Sequence, residues 1–198
     1  NKYTTMSKIL PTQVNELIKN RRSIFPKSYI QKSIPKEIIE QILENANWAP
    51  THKLTEPWRF KVFRGDALEQ LGSKLSEVYK TITPAEKFSE MKYKKPLKKA
   101  LQSDTMIAIC MQRDPKESIP EWEEVASVGA AVQNMYLTCS AYNIGCYWSS
   151  PGTVKYLSEY LGLKEGERCL GFLYMGYHEM PEIKGMRRSI GEKVEWYK

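Results

Sequence analysis

A chain of 198 residues, 41% hydrophobic and 27% charged, suffices for one domain with a sizeable core and is short for two. Thirty Lys and Arg against 23 Asp and Glu give a net charge of +7, but outside one lysine cluster these charges are scattered, which argues against a nucleic-acid partner. Two histidines exclude a His-rich metal site, and no apolar run reaches the ~20 residues that span a bilayer.

Val14, Leu17 and Ile18 form a short helical stripe leading to Arg21-Arg22-Ser23. Ile38, Ile39, Ile42, Leu43 and Ala46 repeat at helical spacing after Pro35, and Pro50 stops that helix. Trp58, Phe60 and Val62 alternate with Arg59 and Lys61, the period of a strand. Gly65-Asp66 breaks it, and Ala67 to Lys80 reads as a helix. Pro84 to Gln102 is polar and helical; its Lys92, Lys94, Lys95, Lys98 and Lys99 read as a solvated face. Thr105 to Met111 is a continuous apolar run of the kind a central strand makes. Val125, Val128, Val132, Met135, Cys139 and Tyr142 recur every three or four residues, which predicts a long helix with one buried face. Val154 to Leu161 predicts a shorter helix and Arg168 to Tyr177 a second buried strand. The polar tail from Pro181 closes on Val194-Glu195-Trp196-Tyr197, a hydrophobic end that either returns to the core or crosses to another chain. No repeat or linker interrupts this order, so residues 1–198 read as a single α+β domain. The four cysteines form no CxxC pair, as expected of free thiols in a reducing compartment. Asn1 to Leu10 lacks a signal-peptide layout, and a cytoplasmic location is the default expectation.

No segment supplies an obvious nucleophile or metal site, so chemistry here has to come from a bound cofactor. Arg21, Arg22 and Ser23 offer two guanidinium groups and a hydroxyl, a set suited to phosphate oxygens or to capping a helix end. Arg187-Arg188-Ser189 repeats the set. Neither GxGxxG nor GxxxxGK[ST] occurs, so a Rossmann site and a P-loop are both unsupported. His52 and Lys53 sit in a turn after Pro50-Thr51. Trp148 precedes Ser149-Ser150-Pro151-Gly152, whose backbone N–H groups and hydroxyls suit the edge of a planar heteroaromatic ring.

The order of these segments resembles the FMN-dependent nitroreductase family, and most closely its small branch with an Ala-Pro-x-His-Lys segment, here Ala49 to Lys53. Glu56-Pro57-Trp58-Arg59-Phe60 belongs to the same pattern. The resemblance runs from about Val14 to the tail. It implies a nitroreductase-like fold with a central mixed β-sheet flanked by helices, and a homodimer whose C-terminal tails are exchanged. It further implies FMN at the subunit interface, with NADH or NADPH as co-substrate. Arg21, Arg22 and Ser23 would meet the phosphate and ribityl chain, Trp148, Ser149 and Ser150 the ring, and Arg187 or Arg188 the phosphate. Trp48 and His52 would reach the flavin from the opposite subunit. Thr138 to Asn143 matches a segment linked to nicotinamide nucleotide binding. Two positions depart from the pattern: Phe25 where many relatives are basic, and Glu56 where many carry Gln.

The implied activity is ping-pong electron transfer from NAD(P)H to a nitroaromatic, quinone or similar acceptor, with no side chain needed as acid or base. Dehalogenation or ring reduction on the same fold, and a flavin-binding module without turnover, are the alternatives.

Overall fold

The computed structural model describes residues 9–198, so most of Asn1 to Leu10 lies outside the described residues. Four strands, β1 (Trp58–Arg64), β2 (Thr105–Gln112), β3 (Ile144–Ser149) and β4 (Glu167–Tyr177), form one sheet in the order β1-β2-β4-β3. Every pairing is antiparallel, whereas the resemblance implied a mixed sheet. The helices are α1 (Pro11–Asn20), α2 (Lys36–Asn47), α3 (Asp66–Ile82), α4 (Glu90–Leu101) and α5 (Glu121–Ala141).

Central strand β2 explains its own composition. Ile107, Ile109 and Met111 enter a core with α2 and α5, while Met106, Ala108 and Cys110 enter a second core with α3 on the other face. A strand covered on both sides has no polar side to present, so its sequence is apolar throughout.

Helix α5 buries more than the predicted stripe. Ser127, Ala131, Tyr136 and Thr138 are buried along with Val128, Val132, Met135 and Cys139. Two side-chain amides fasten it to α2: Asn134 Nδ2 donates to the Asn45 carbonyl at 2.9 Å, and Asn45 Nδ2 donates to Thr138 Oγ1 at 2.9 Å. At its start, Glu124 is fully buried, pairs with Arg113 and accepts the Asp114 backbone N–H at 2.8 Å. That arrangement supplies the partners a buried carboxylate needs.

On the other face, α4 lies hard against α3 at Gly72. A Cβ there would stand 2.8 Å from Ala100 Cβ and 2.9 Å from Leu97 Cα, so no side chain fits between the helices. This contact fixes α4 and with it the lysine row.

Two expectations need correction. Val154 to Leu161 is no helix: a 3₁₀ turn covers Gly152–Tyr156 and turns follow. Residues 144–149 are a strand, which the sequence pattern around Trp148 does not predict. Among the described residues no helix is long and apolar enough to cross a membrane, and no group of three or more His, Cys, Asp or Glu gathers as for a metal.

Candidate flavin site

The Tyr136 hydroxyl, on the C-terminal half of α5, joins the two predicted segments. It accepts the Trp148 backbone N–H at 2.8 Å and lies 3.4 Å from Ser23 Oγ. Beside it, the Ile24 backbone N–H donates to the Cys146 carbonyl at 3.0 Å, stitching the residue after Ser23 to β3. The Arg21 guanidinium stands 5.1 Å from the Tyr136 ring centroid. Burial raises the Tyr136 hydroxyl above the usual phenol range, against the opposing hydrogen bonds from Ser23 and the Trp148 N–H. It therefore remains a neutral bridge at ordinary pH. Tyr136 stands four residues after Val132 and three before Cys139, on the buried face of α5, and nothing in its spacing distinguishes its hydroxyl from a core ring.

The two arginines differ. Arg22 is committed to backbone: Nη1 donates to the Lys19 carbonyl at 2.6 Å and the Arg21 carbonyl at 2.7 Å, and Nε to the Ile183 carbonyl at 2.8 Å. Its guanidinium lies against Gly185, where a Cβ would come within 2.2 Å of Nη2. Arg22 thus pins the start of the tail. The Arg21 guanidinium makes no hydrogen bond among the described residues.

Between α1 and this tail lies a cleft of about 790 Å³ lined by Lys19, Arg21, Arg22, Lys184 and Arg187, with Glu182 as the single acid among the described residues. Arg187 reaches this cleft and Arg188 does not line it. A concave surface with this excess of guanidinium and ammonium groups fits a phosphate dianion.

The Trp148 indole packs on the α2–α5 core and its Nε1 is buried without a partner among the described residues. Ser149 closes β3 opposite Phe172, and Ser150 is exposed beyond the strand. The segment does not line the basic cleft; Ser149 borders a separate cavity with Lys95, Lys99 and Tyr147. Thr138 is buried between α2 and α5, while Tyr142 and Asn143 are exposed at the helix end.

His52 and Trp48 lie elsewhere. His52–Leu54 is a 3₁₀ turn folded onto the start of α5, with His52 Nδ1 2.5 Å from Glu123 Oε2 and Lys53 Nζ donating to the Ser118 carbonyl at 3.0 Å. Lys53, Leu54 and Glu56 all have positive φ (50°, 53° and 41°). Such strain in non-glycine residues persists where surrounding structure imposes it, and it concentrates at functional sites. Trp48 is 77% exposed, its indole donating to Glu44 at 2.9 Å. Glu123 and Tyr136 are thirteen residues apart on α5, roughly 20 Å along its axis at 1.5 Å per residue. Within one chain, then, the Arg21 group and the His52 turn lie at opposite ends of the same helix.

The sequence model of the Nitroreductase family matches residues 18–177. YdjA of Escherichia coli, a provisional NAD(P)H nitroreductase, is 28% identical over 172 residues, covering 85% of this chain and 88% of its own. The crystal structure of a nitroreductase-like family protein from Bacillus cereus aligns with a TM-score of 0.79 at 28% identity, over 98% of this chain and 100% of that one. A provisional nitroreductase from Desulfovibrio desulfuricans, crystallised with FMN, shares the fold at a TM-score of 0.70 and 22% identity, over 96% and 99% of the two chains.

Proposed function

The chain belongs to the nitroreductase family, and from that premise we propose that it is an FMN-dependent oxidoreductase carrying electrons from NAD(P)H to nitroaromatic or quinone acceptors. The FMN complex of the Desulfovibrio desulfuricans protein and the NAD(P)H in YdjA's description support the cofactor pair. The observation that carries the reading is the Tyr136 bridge, which brings the Arg21 and Trp148 segments together beside a cleft rich in cations.

Arg21 and Arg187 hold the phosphate, and Ser149 and Ser150, at the end of β3, lie along the ring. Bound FMN supplies a two-electron relay between donor and acceptor. The chain binds, orients and screens the cofactor, and its cations favour the more negative reduced state. For a nitroarene the net change is ArNO₂ + NAD(P)H + H⁺ → ArNO + NAD(P)⁺ + H₂O. Donor and acceptor use one opening in turn.

The site is completed by a second copy of the chain. Trp48, Leu54 and Trp122 are 77%, 78% and 69% exposed, and Trp196 and Tyr197 are 86% and 89% exposed. Exposed apolar side chains in this number mark a covered surface. His52, remote from Arg21 in its own chain, reaches the cofactor of the other subunit, and the tail crosses the interface.

Pure protein tests the reading directly. It is expected to show flavin absorbance near ~450 nm, which is the cofactor's own chromophore, and to sediment as a dimer. A colourless protein that takes up no FMN in a titration overturns it.

A further inference from the structure

The lysine row does not face open solvent alone. Beyond the phosphate cleft, a cavity of about 670 Å³ lies between α4 and the residues following Ser23. Its aromatic wall is Phe25 against Tyr147, ring centroids 4.5 Å apart. Lys27, Lys94, Lys95, Lys98 and Lys99 also line it, and among the described residues no carboxylate does. Lys94 alone of these five forms an ion pair among the described residues, with Glu90 at 2.9 Å. Lys99 Nζ stands 4.9 Å from the Tyr147 ring centroid and 5.5 Å from that of Tyr174.

The position of the cavity links it to the proposed reaction. Phe25 comes two residues after Ser23, and Tyr147 immediately precedes Trp148. A neighbouring cavity of about 350 Å³ shares Lys95, Lys99 and Tyr147 and extends to Ser149. Tyr147 faces the α3 side of β3 and Trp148 the α2–α5 side, so a molecule resting on the Phe25–Tyr147 wall meets the segments assigned to the cofactor at Ser149 and at the residues after Ser23. Its surroundings combine ring faces, which favour an offset planar aromatic, with clustered ammonium groups that repel one another until an anion enters. The departure at Phe25 acquires a meaning here: an aromatic surface stands where relatives place a charge, and α4 brings cations to its rim.

We propose that this cavity receives the electron acceptor and selects planar aromatics that carry an anionic group, such as nitroaryl carboxylates. The proposal rests on the flavoenzyme reading above. In the reaction of 4-nitrobenzoate, NAD(P)H loses two electrons and the nitro nitrogen gains them. One N–O bond breaks, and that oxygen leaves as water with the hydride hydrogen and one proton. The carboxylate is unchanged and serves recognition only.

The test compares 4-nitrobenzoate with 4-nitrobenzamide on FMN-saturated enzyme. The amide withdraws electrons more strongly than the carboxylate, so its nitro group is intrinsically the easier to reduce; preference for the carboxylate has to come from the protein. A kcat/KM ratio of about 10 in favour of the carboxylate is expected at low ionic strength, shrinking in 0.5 M salt as the cations are screened. Lys95 and Lys98 are exposed, so the double variant Lys95→Gln, Lys98→Gln keeps the fold and should bring the ratio near unity. Calorimetric binding of benzoate against benzamide gives the same comparison without turnover. Equal or inverted preference in the wild type, or a preference that survives the double variant, overturns the proposal. Failure of the flavin reading appears separately, as missing flavin absorbance in a protein that still discriminates benzoate from benzamide.

Discussion

Arg21 and Arg22 are adjacent and of one kind, yet their surroundings give them different work. Arg21 lies over Tyr136 beside the basic cleft, while Arg22 spends its donors on the Lys19, Arg21 and Ile183 carbonyls. Arg21→Ala removes a charge-assisted contact of about 1.5–3 kcal/mol and should weaken FMN binding ~10- to 100-fold in a fluorescence titration. Arg22→Ala should chiefly free the tail, so thermolysin cleavage after Pro181 accelerates more than FMN affinity falls. Equal losses of affinity in both variants would contradict this division. His178 governs the same junction through pH. It pairs with Tyr29 where β4 ends, and its Nδ1 accepts the Met180 N–H at 3.2 Å. Burial lowers its pKa, so the folded form favours the neutral ring. The stabilisation is present above the unfolded value of ~6.5 and is lost as pH falls through the lower folded value. Tail cleavage should therefore rise between pH 7 and 5, and His178→Asn should flatten that rise.

The α3–α4 contact shows how packing overrides propensity at the scale of elements. Replacing a helical glycine with alanine ordinarily gains about 1 kcal/mol. At Gly72 the new Cβ would meet Ala100 Cβ at 2.8 Å and the Leu97 backbone at 2.9 Å. Overpacking of that kind costs about 1–3 kcal/mol, so Gly72→Ala should lower stability in urea unfolding despite the better propensity. Such tertiary terms also explain what was legible in the sequence. Helices α2, α3 and α5 and strands β2 and β4 carry long apolar patterns and were readable. Strand β3 was not, because Gly145 and Cys146 break its pattern immediately after a helix end. Val154 and Leu161 mimic helical spacing although Pro151 and Gly152 begin a 3₁₀ turn. The lysines of α4 show only their own helix in sequence. Their cavity depends on Phe25 and Tyr147, which lie far away along the chain. The segments of the candidate site were legible one by one, and their order gave the family. Their union through Tyr136, and the meeting of His52 with Glu123 seventy-one positions further on, belong to the fold alone.

For the whole molecule, the sheet separates two working faces. Helices α2 and α5 cover one, with the exposed Trp48, Leu54 and Trp122 nearby and the tail's Trp196 and Tyr197 also exposed; α3 and α4 cover the other, where the lysines gather. The α2–α5 face is the one proposed to meet a second copy. The placing of Arg21 and His52 at opposite ends of α5 then has a genetic consequence. Each defect disables whichever site its own residue serves, and in a mixed dimer both defects fall on the same site. A chain carrying Arg21→Ala and a chain carrying His52→Ala are each expected to yield weakened enzyme. Unfolded together and refolded in equal amounts, they should pair at random, leaving one undamaged site in every mixed dimer, or about a quarter of all sites. Flavin-bound activity recovering to about that fraction would be complementation between two damaged copies of one gene. Activity no higher than the average of the two parents would mean that His52 serves the same site as the Arg21 of its own chain, against an exchange between subunits.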